Sequence, residues 1–558
     1  MNGISRRDWL HAAAAAVSAP LLARALEAES RLRPELSGER GAMQRGMDRD
    51  LLEVTIAKLH ALYAARTYTP SQVTRWYLDR IARYTKVYRP ILHVDAGGAL
   101  ATAAALERSV KGGKAKGPLW GVPIVIKSNT SVKGLITSAG WSGYLIPGYE
   151  LVAPKDATVV AKLKAAGAII LGQTNMPDFA ASDTNISSAF GRTGNAYNWR
   201  CSPGGSSGGT VTSVAANLCV LGTGTDTGNS IRMPAGTSSV VGILPTRGLV
   251  SIAGIHPLDW LRDNTGPIAR TVADACIALD VMAGEDPGDF RTKGSAAQAE
   301  AGPNTRYLNA TSLEGKRFGV PAFIVSTTPR GTPLQPETRD MFLKSLGELR
   351  AAGATVVVDD AVLPESFQAL IQTINTGPYV GEGVDSFLRD YGPPAYHSAA
   401  EYTHAVGSLF PAFMRGSNAG SSPAPSVEAD PNAETTLWAP QRRAVAAYDE
   451  TLDRFQLDGY VYPAVQMPPP DEVALLDQGR RSDGPHSNTA WVNPIGVPAI
   501  SIPGGFYTTG LPFGLELSAK RWRDGDLVGW AYGYEQATKH RRPPNLVDTR
   551  GDSTSRPG

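Results

Sequence analysis

Cysteine is scarce here: the chain has three in 558 residues, Cys201, Cys219 and Cys276. So few cannot staple a fold, which excludes a disulfide scaffold. At most one bridge is open to them, and Cys219 and Cys276 lie in apolar runs typical of buried free thiols. Histidine is almost as sparse, with eight residues and no HExxH, HxH or Cys/His pairing among them. That argues against a catalytic metal, and no G-x-x-x-x-G-K-[ST] loop offers a phosphate cradle, so no cofactor is expected. An excess of one charge is missing too. A formal net charge of +2, with no basic stripe interleaved with aromatics, argues against nucleic acid as a partner. No run is long and apolar enough to make a convincing transmembrane helix, so no stable membrane insertion is expected.

What is present is a globular composition, 42% hydrophobic and 19% charged, which suffices for one large core. The densest chemistry lies between Cys201 and Gly248. Gly204-Gly205-Ser206-Ser207-Gly208-Gly209 is a glycine-rich loop that lets a substrate approach the backbone closely. Thr210 to Leu218 reads as a buried helix and Cys219 to Gly222 as a short strand. A second tight turn follows, Gly224-Thr225-Asp226-Thr227-Gly228-Asn229-Ser230-Ile231-Arg232, whose successive N–H groups could converge on a developing oxyanion. A flexible Gly/Ser linker is the plainer reading. Linkers, however, do not enclose a helix, a strand and an Asp/Arg pair.

A serine needs a base to act as a nucleophile. The apolar, β-branched run from Trp120 to Ile126 reads as an interior strand, and it ends in Lys127. Desolvation there lowers a lysine pKa toward a neutral amine that accepts a proton. From the strand alone, a lysine that snorkels to water fits equally well.

Lys127 in its apolar strand, GGSSGG at Gly204 to Gly209, and GTDTGNSIRMPA from Gly224 to Ala235 together resemble the amidase signature family. The resemblance runs from about Asp48 to Gly284 and resumes from about Asn488 to Pro543. It implies an α/β fold with a mixed, mostly parallel central sheet surrounded by helices. It also implies a Ser–cis-Ser–Lys triad: Ser230 as nucleophile, Ser206 as the bridging serine on a cis peptide, and Lys127 as base. The N–H groups of Thr227, Gly228, Asn229 and Ser230 correspond to the oxyanion hole, with Ser207, Asp226 and Arg232 as its support. Asn229 stands where the family usually has glycine. If that position needs positive φ, asparagine tolerates it better than most residues. Met176 and Phe179 border the family's acyl pocket, although core packing explains them equally well.

The remainder of the chain supplies organisation. Ser5-Arg6-Arg7-Asp8-Trp9-Leu10, a weakly apolar run to Leu22 and Ala23-Arg24-Ala25 resemble a twin-arginine export signal over residues 1–28. A periplasmic or secreted enzyme is the expectation. Residues 48–545 read as one domain, and 546–558 as a polar, disordered tail. Thr69-Pro70 caps a helix with Val73, Trp76, Tyr77, Ile81 and Tyr84 on one face. Asp156 is expected to cap a helix to Ala166, and Thr271 one to Met282. Asp263 to Pro267 resembles a family turn. Residues 363–456 read as a mainly helical insertion, broken by a low-complexity loop at 417–426.

The leading reading is therefore an amidase that acts on a small-molecule amide as a monomer or homodimer, with a peptide amide as one substrate class and ester cleavage as a side activity. Two others stand beside it. Gly204 to Gly208 also satisfies the G-x-S-x-G nucleophile elbow, which would pair Ser206 with a late histidine such as His486 or His540. The ammonia-producing component of a transfer-RNA-dependent amidotransferase is the other, against which the export signal argues.

Overall fold

The computed structural model describes residues 45–549 except 110–116, 326–332, 408–409 and 416–425. The export-signal reading, most of the polar tail and nearly all of the low-complexity loop lie outside the described residues. An 11-stranded sheet forms the centre. In chain order its strands are β1 (Ile91–Val94), β2 (Pro123–Lys127), β3 (Ile169–Thr174), β6 (Leu221–Asp226), β7 (Val241–Leu244) and β8 (Asn264–Ala269), then β9 (Arg317–Val320), β10 (Thr355–Val358), β11 (Gly459–Pro463), β12 (Ala499–Phe506) and β13 (Pro512–Ala519). A separate hairpin is made by β4 (Ile186–Ser187) and β5 (Gly191–Arg192). Across the sheet the order is β1-β3-β2-β6-β8-β7-β12-β13-β11-β9-β10.

The sheet is the mixed one expected, flanked by helices. Its parallel pairs form two blocks, β3-β2-β6 and β11-β9-β10, with antiparallel strands between and beside them. The first block matters for the site. Ile124 pairs with Leu221 and Val125 with Gly222, so the carboxyl ends of β2 and β6 reach the same edge side by side. That places Lys127 beside the turn after Asp226. Every residue of β2 and of β6 is buried, as the unbroken apolar or small-residue runs require of strands covered on both faces.

Helix starts follow their capping residues. Thr69 and Gln72 form a reciprocal capping box ahead of Pro70–Tyr88, whose Val73, Trp76, Tyr77, Ile81 and Tyr84 are all buried. Thr271 accepts from the Asp274 N–H at the start of Val272–Met282.

Three boundaries differ from expectation. Asp156 caps nothing: the helix is Thr158–Ala165 with Ala157 at its N-cap, and the Asp156 carboxylate accepts from Lys133 N and Lys164 Nζ instead. The strand expected over Cys219 to Gly222 begins at Leu221 and runs to Asp226, because β8 pairs with it along that whole length. For the same reason Asn264 to Pro267 is not a turn but the first part of β8. All three cysteines are free and buried.

Candidate active site

Three segments meet at the end of β2. The first is Lys127 itself. Its Nζ lies 2.7 Å from Ser206 Oγ, 3.0 Å from Ser207 Oγ and 2.9 Å from Thr225 Oγ1, with Thr225 O at 3.3 Å. The lysine is fully buried and only hydroxyls and a carbonyl touch its amine. Burial pushes its pKa down to about 7, against the opposing pull of Asp226 and Asp263. The snorkelling alternative is thereby removed.

The second segment is the glycine loop. The Gly205–Ser206 peptide is cis, as the resemblance implied. Gly204 sits at φ +75, where a side chain would be strained, and a Cβ there would also meet Met233 Sδ at 2.8 Å. Ser207 leads into the helix Gly208–Ala215, and its N–H donates to Ser230 O at 3.1 Å. The loop and the turn that carries Ser230 are thus tied backbone to backbone.

The third segment is the turn from Thr227 to Ile231, and Asp226 and Arg232 clamp it. Asp226 Oδ2 accepts from Ile231 N at 2.9 Å and from Arg232 Nε at 3.2 Å. Arg232 also donates to Gly228 O at 2.7 Å, Asn493 Oδ1 at 2.8 Å, Thr489 O at 3.2 Å and the Glu516 carboxylate. Burial works against the guanidinium charge, but Asp226 and Glu516 outweigh it and hold Arg232 firmly protonated. Among the described residues, the N–H groups of Gly228, Asn229 and Ser230 donate to no protein acceptor. They are free to receive an oxyanion. Ser230 is 5% and Asn229 8% exposed, so the turn meets solvent only narrowly.

Asn229 does not use the left-handed conformation considered for it. Its side chain is what distinguishes the site: Nδ2 donates to Asp183 Oδ1 at 3.1 Å and to Ser487 Oγ at 2.8 Å. Met176 and Phe179 are both buried. Phe179, at φ 54, packs in an aromatic cluster with Trp141 and His256, each at 5.2 Å between ring centroids, and with Phe410 and Phe413.

Several residues escaped sequence reasoning. Asn129 Nδ2 donates to Thr225 Oγ1 at 3.1 Å, which holds that hydroxyl against Lys127. Asp263 accepts from Thr227 Oγ1 and is pushed up to about 7 by burial. Asn493 ties Asp226 from the closing part of the chain, donating to its O and Oδ1 at 3.0 Å. Asn493 could have been found, since it lies in the stretch from about Asn488 to Pro543 where the resemblance resumes; Asn129 sits in no comparable motif.

Among the described residues no histidine hydrogen-bonds to Ser206. His540 Nε2 lies 2.9 Å from Glu348, and Ser206 Oγ is held by lysine. Among the described residues no group of three or more His, Cys, Asp or Glu could hold a metal ion, and no helix is long and apolar enough to cross a membrane.

Comparison with known proteins agrees with this geometry. The family model described as Amidase matches residues 72–528. The chain is 32% identical over 508 residues to the A subunit of Glutamyl-tRNA(Gln) amidotransferase from Thermosynechococcus vestitus, covering 88% of this chain and 99% of that protein. Among solved structures it is similar to the native peptide amidase from Stenotrophomonas maltophilia, with TM-score 0.74, 30% identity and coverage of 88% and 98%. An amidase family protein from Bacillus anthracis gives TM-score 0.72 at 25% identity, with coverage of 90% and 95%.

Proposed function

Because this chain belongs to the amidase signature family, we propose that it is a serine hydrolase that cleaves the C–N bond of carboxylic amides. Ser230 Oγ attacks the carbonyl carbon. Its proton passes through Ser206 to the neutral amine of Lys127, and the N–H groups of the Thr227 to Ser230 turn hold the tetrahedral oxyanion. Collapse expels the amine or ammonia, which takes the proton back along the same relay. Water then attacks the acyl-enzyme, again deprotonated through Ser206 and Lys127, and releases the carboxylate.

The observation that carries this reading is the fully buried Lys127 amine, 2.7 Å from Ser206 Oγ and poised near neutrality at about 7. A peptide amide fits as one substrate class, supported by the likeness to a peptide amidase. Esters, with a better leaving group, follow as a side activity. We place the enzyme in the periplasm or outside the cell on the strength of the signal read at Arg6-Arg7, and propose that it acts as a monomer or homodimer.

A second reading is favoured by the relatives. The identity to these amidotransferase components spans nearly their whole length, and a protein of that kind would use the same cleavage to deliver ammonia to partner proteins. One experiment separates the readings. The purified chain alone is given a panel of small amides and compared with Ser230→Ala, Lys127→Ala and His486→Ala. The amidase reading expects turnover by the isolated chain, loss by at least a thousandfold in the first two variants, and activity retained in the third. Release of ammonia only after partner proteins are added would favour the amidotransferase.

A further inference from the structure

One charged group beside the nucleophile has no part in this relay. Asp183 lies on the loop between Asp178–Ala180 and β4, and the carbonyls of its two neighbours pack against the glycine loop. A Cβ at Gly205 would meet Thr184 O at 2.2 Å and Ser182 O at 2.6 Å. From the other side, Asn229 next to Ser230 donates to Asp183 Oδ1. The carboxylate is therefore held against the residue that precedes Ser230, on a loop whose neighbouring carbonyls pack against Gly205. A third wall is the segment after Gly484, whose φ of +86 and missing side chain let it sit against Asp183 O.

Among the described residues Asp183 makes no salt bridge, and its Oδ2 accepts no hydrogen bond. Burial raises its pKa, with Asp226 adding to the rise and Asn229 and His486 opposing it. As a residue Asp183 is nevertheless only partly buried. A carboxylate here with no salt-bridge partner among the described residues opposes the negative charge that develops in the neighbouring turn. A cation brought by the substrate removes that opposition.

Resting on the amide-hydrolysing reading, we propose that Asp183, oriented by Asn229, selects amides that carry a protonated amine a few bonds from the scissile carbonyl, such as amino-acid amides with a free α-ammonium group. Asn229 then acts as a positioning residue for Asp183, which accounts for a side chain where the family usually has none.

The test is binding without turnover. Calorimetry measures L-phenylalaninamide, N-acetyl-L-phenylalaninamide and 3-phenylpropanamide against Ser230→Ala and against Ser230→Ala/Asp183→Asn, the asparagine keeping an acceptor for Asn229. A charge-assisted contact predicts that the cationic amide binds Ser230→Ala about tenfold to a hundredfold more tightly than either neutral one, and that the second substitution abolishes this preference. No measurable binding of the cationic amide, equal affinities, or a preference that survives in the double variant overturns the proposal. Turnover of the same amides by the native chain judges the hydrolytic reading separately: absent turnover with an intact, Asp183-dependent preference sinks the reaction and leaves the charge recognition standing.

Discussion

Enclosing an amine among hydroxyls and a carbonyl removes the hydration that favours its charged form, and Lys127 is placed in that way. Its pKa of about 7 bears on both rate and stability. In the proposed mechanism the neutral amine is the base, so kcat/KM for a small amide should rise tenfold per pH unit below about 7 and level above it, as a pH–rate profile of the native chain will read. The same burial is a stability statement. The pKa falls from 10.5 in the unfolded chain to about 7, so between those values the unfolded state binds more protons and stability rises with pH. The burial penalty is absent above 10.5 and accumulates as pH falls toward 7, reaching roughly 5 kcal/mol at 1.36 kcal/mol per unit. Denaturant titrations of native protein and Lys127→Met across that range should show the difference between them shrink as pH rises; a constant difference contradicts it.

The turn from Thr227 to Ile231 owes its shape to a buried ion network, and its energetics differ from those of surface pairs. Arg232→Met leaves Asp226 and Glu516 buried without their cation, which costs about 3–5 kcal/mol in denaturant unfolding. Arg442→Ala removes the exposed pair with Glu434 and should change stability by less than about 1 kcal/mol. The aromatic cluster gives a third contrast. Phe179→Ala opens a cavity among Trp141, Tyr144 and Phe410 and should cost about 3–5 kcal/mol in the same measurement. The sequence made some of these pieces legible and not others. Apolar β-branched runs announced β2, and Thr69 and Thr271 announced their helices, because each signal is local. Asp156 misled because it has the right residue type one position too early, and its carboxylate was drawn off by Lys164. Asp263 reads as part of a turn because the strand it precedes is defined by pairing with β6 and β7, not by a local pattern.

Across the molecule, the three candidate residues could be picked out because they sit in two compact glycine-rich segments and at one strand end. Their supports could not. Asn129 bears on Thr225, Asn493 on Asp226 and Asp183 on Asn229 through contacts made only when distant segments fold together. The order β7-β12-β13-β11 is likewise set by burial of whole strand faces, not by any local pattern. The proposed export signal at Arg6-Arg7 bears on where the chain works. Expression of the full chain should deliver it to the periplasm, and Arg6→Lys/Arg7→Lys should retain it in the cytoplasm, as fractionation and immunoblotting will show. Cytoplasmic native chain that co-purifies with partner proteins would instead support the amidotransferase reading.

The relay from Ser230 to Lys127 is tested most directly by trapping the nucleophile. Native protein and Lys127→Ala are incubated with phenylmethylsulfonyl fluoride at pH 6 and pH 8, and the adduct is mapped by peptide mass spectrometry. The account predicts one sulfonyl group on Ser230, formed several-fold faster at pH 8 than at pH 6 and at least a hundredfold slower in Lys127→Ala. An adduct on Ser206, or labelling of Ser230 that ignores both pH and the lysine, would contradict it.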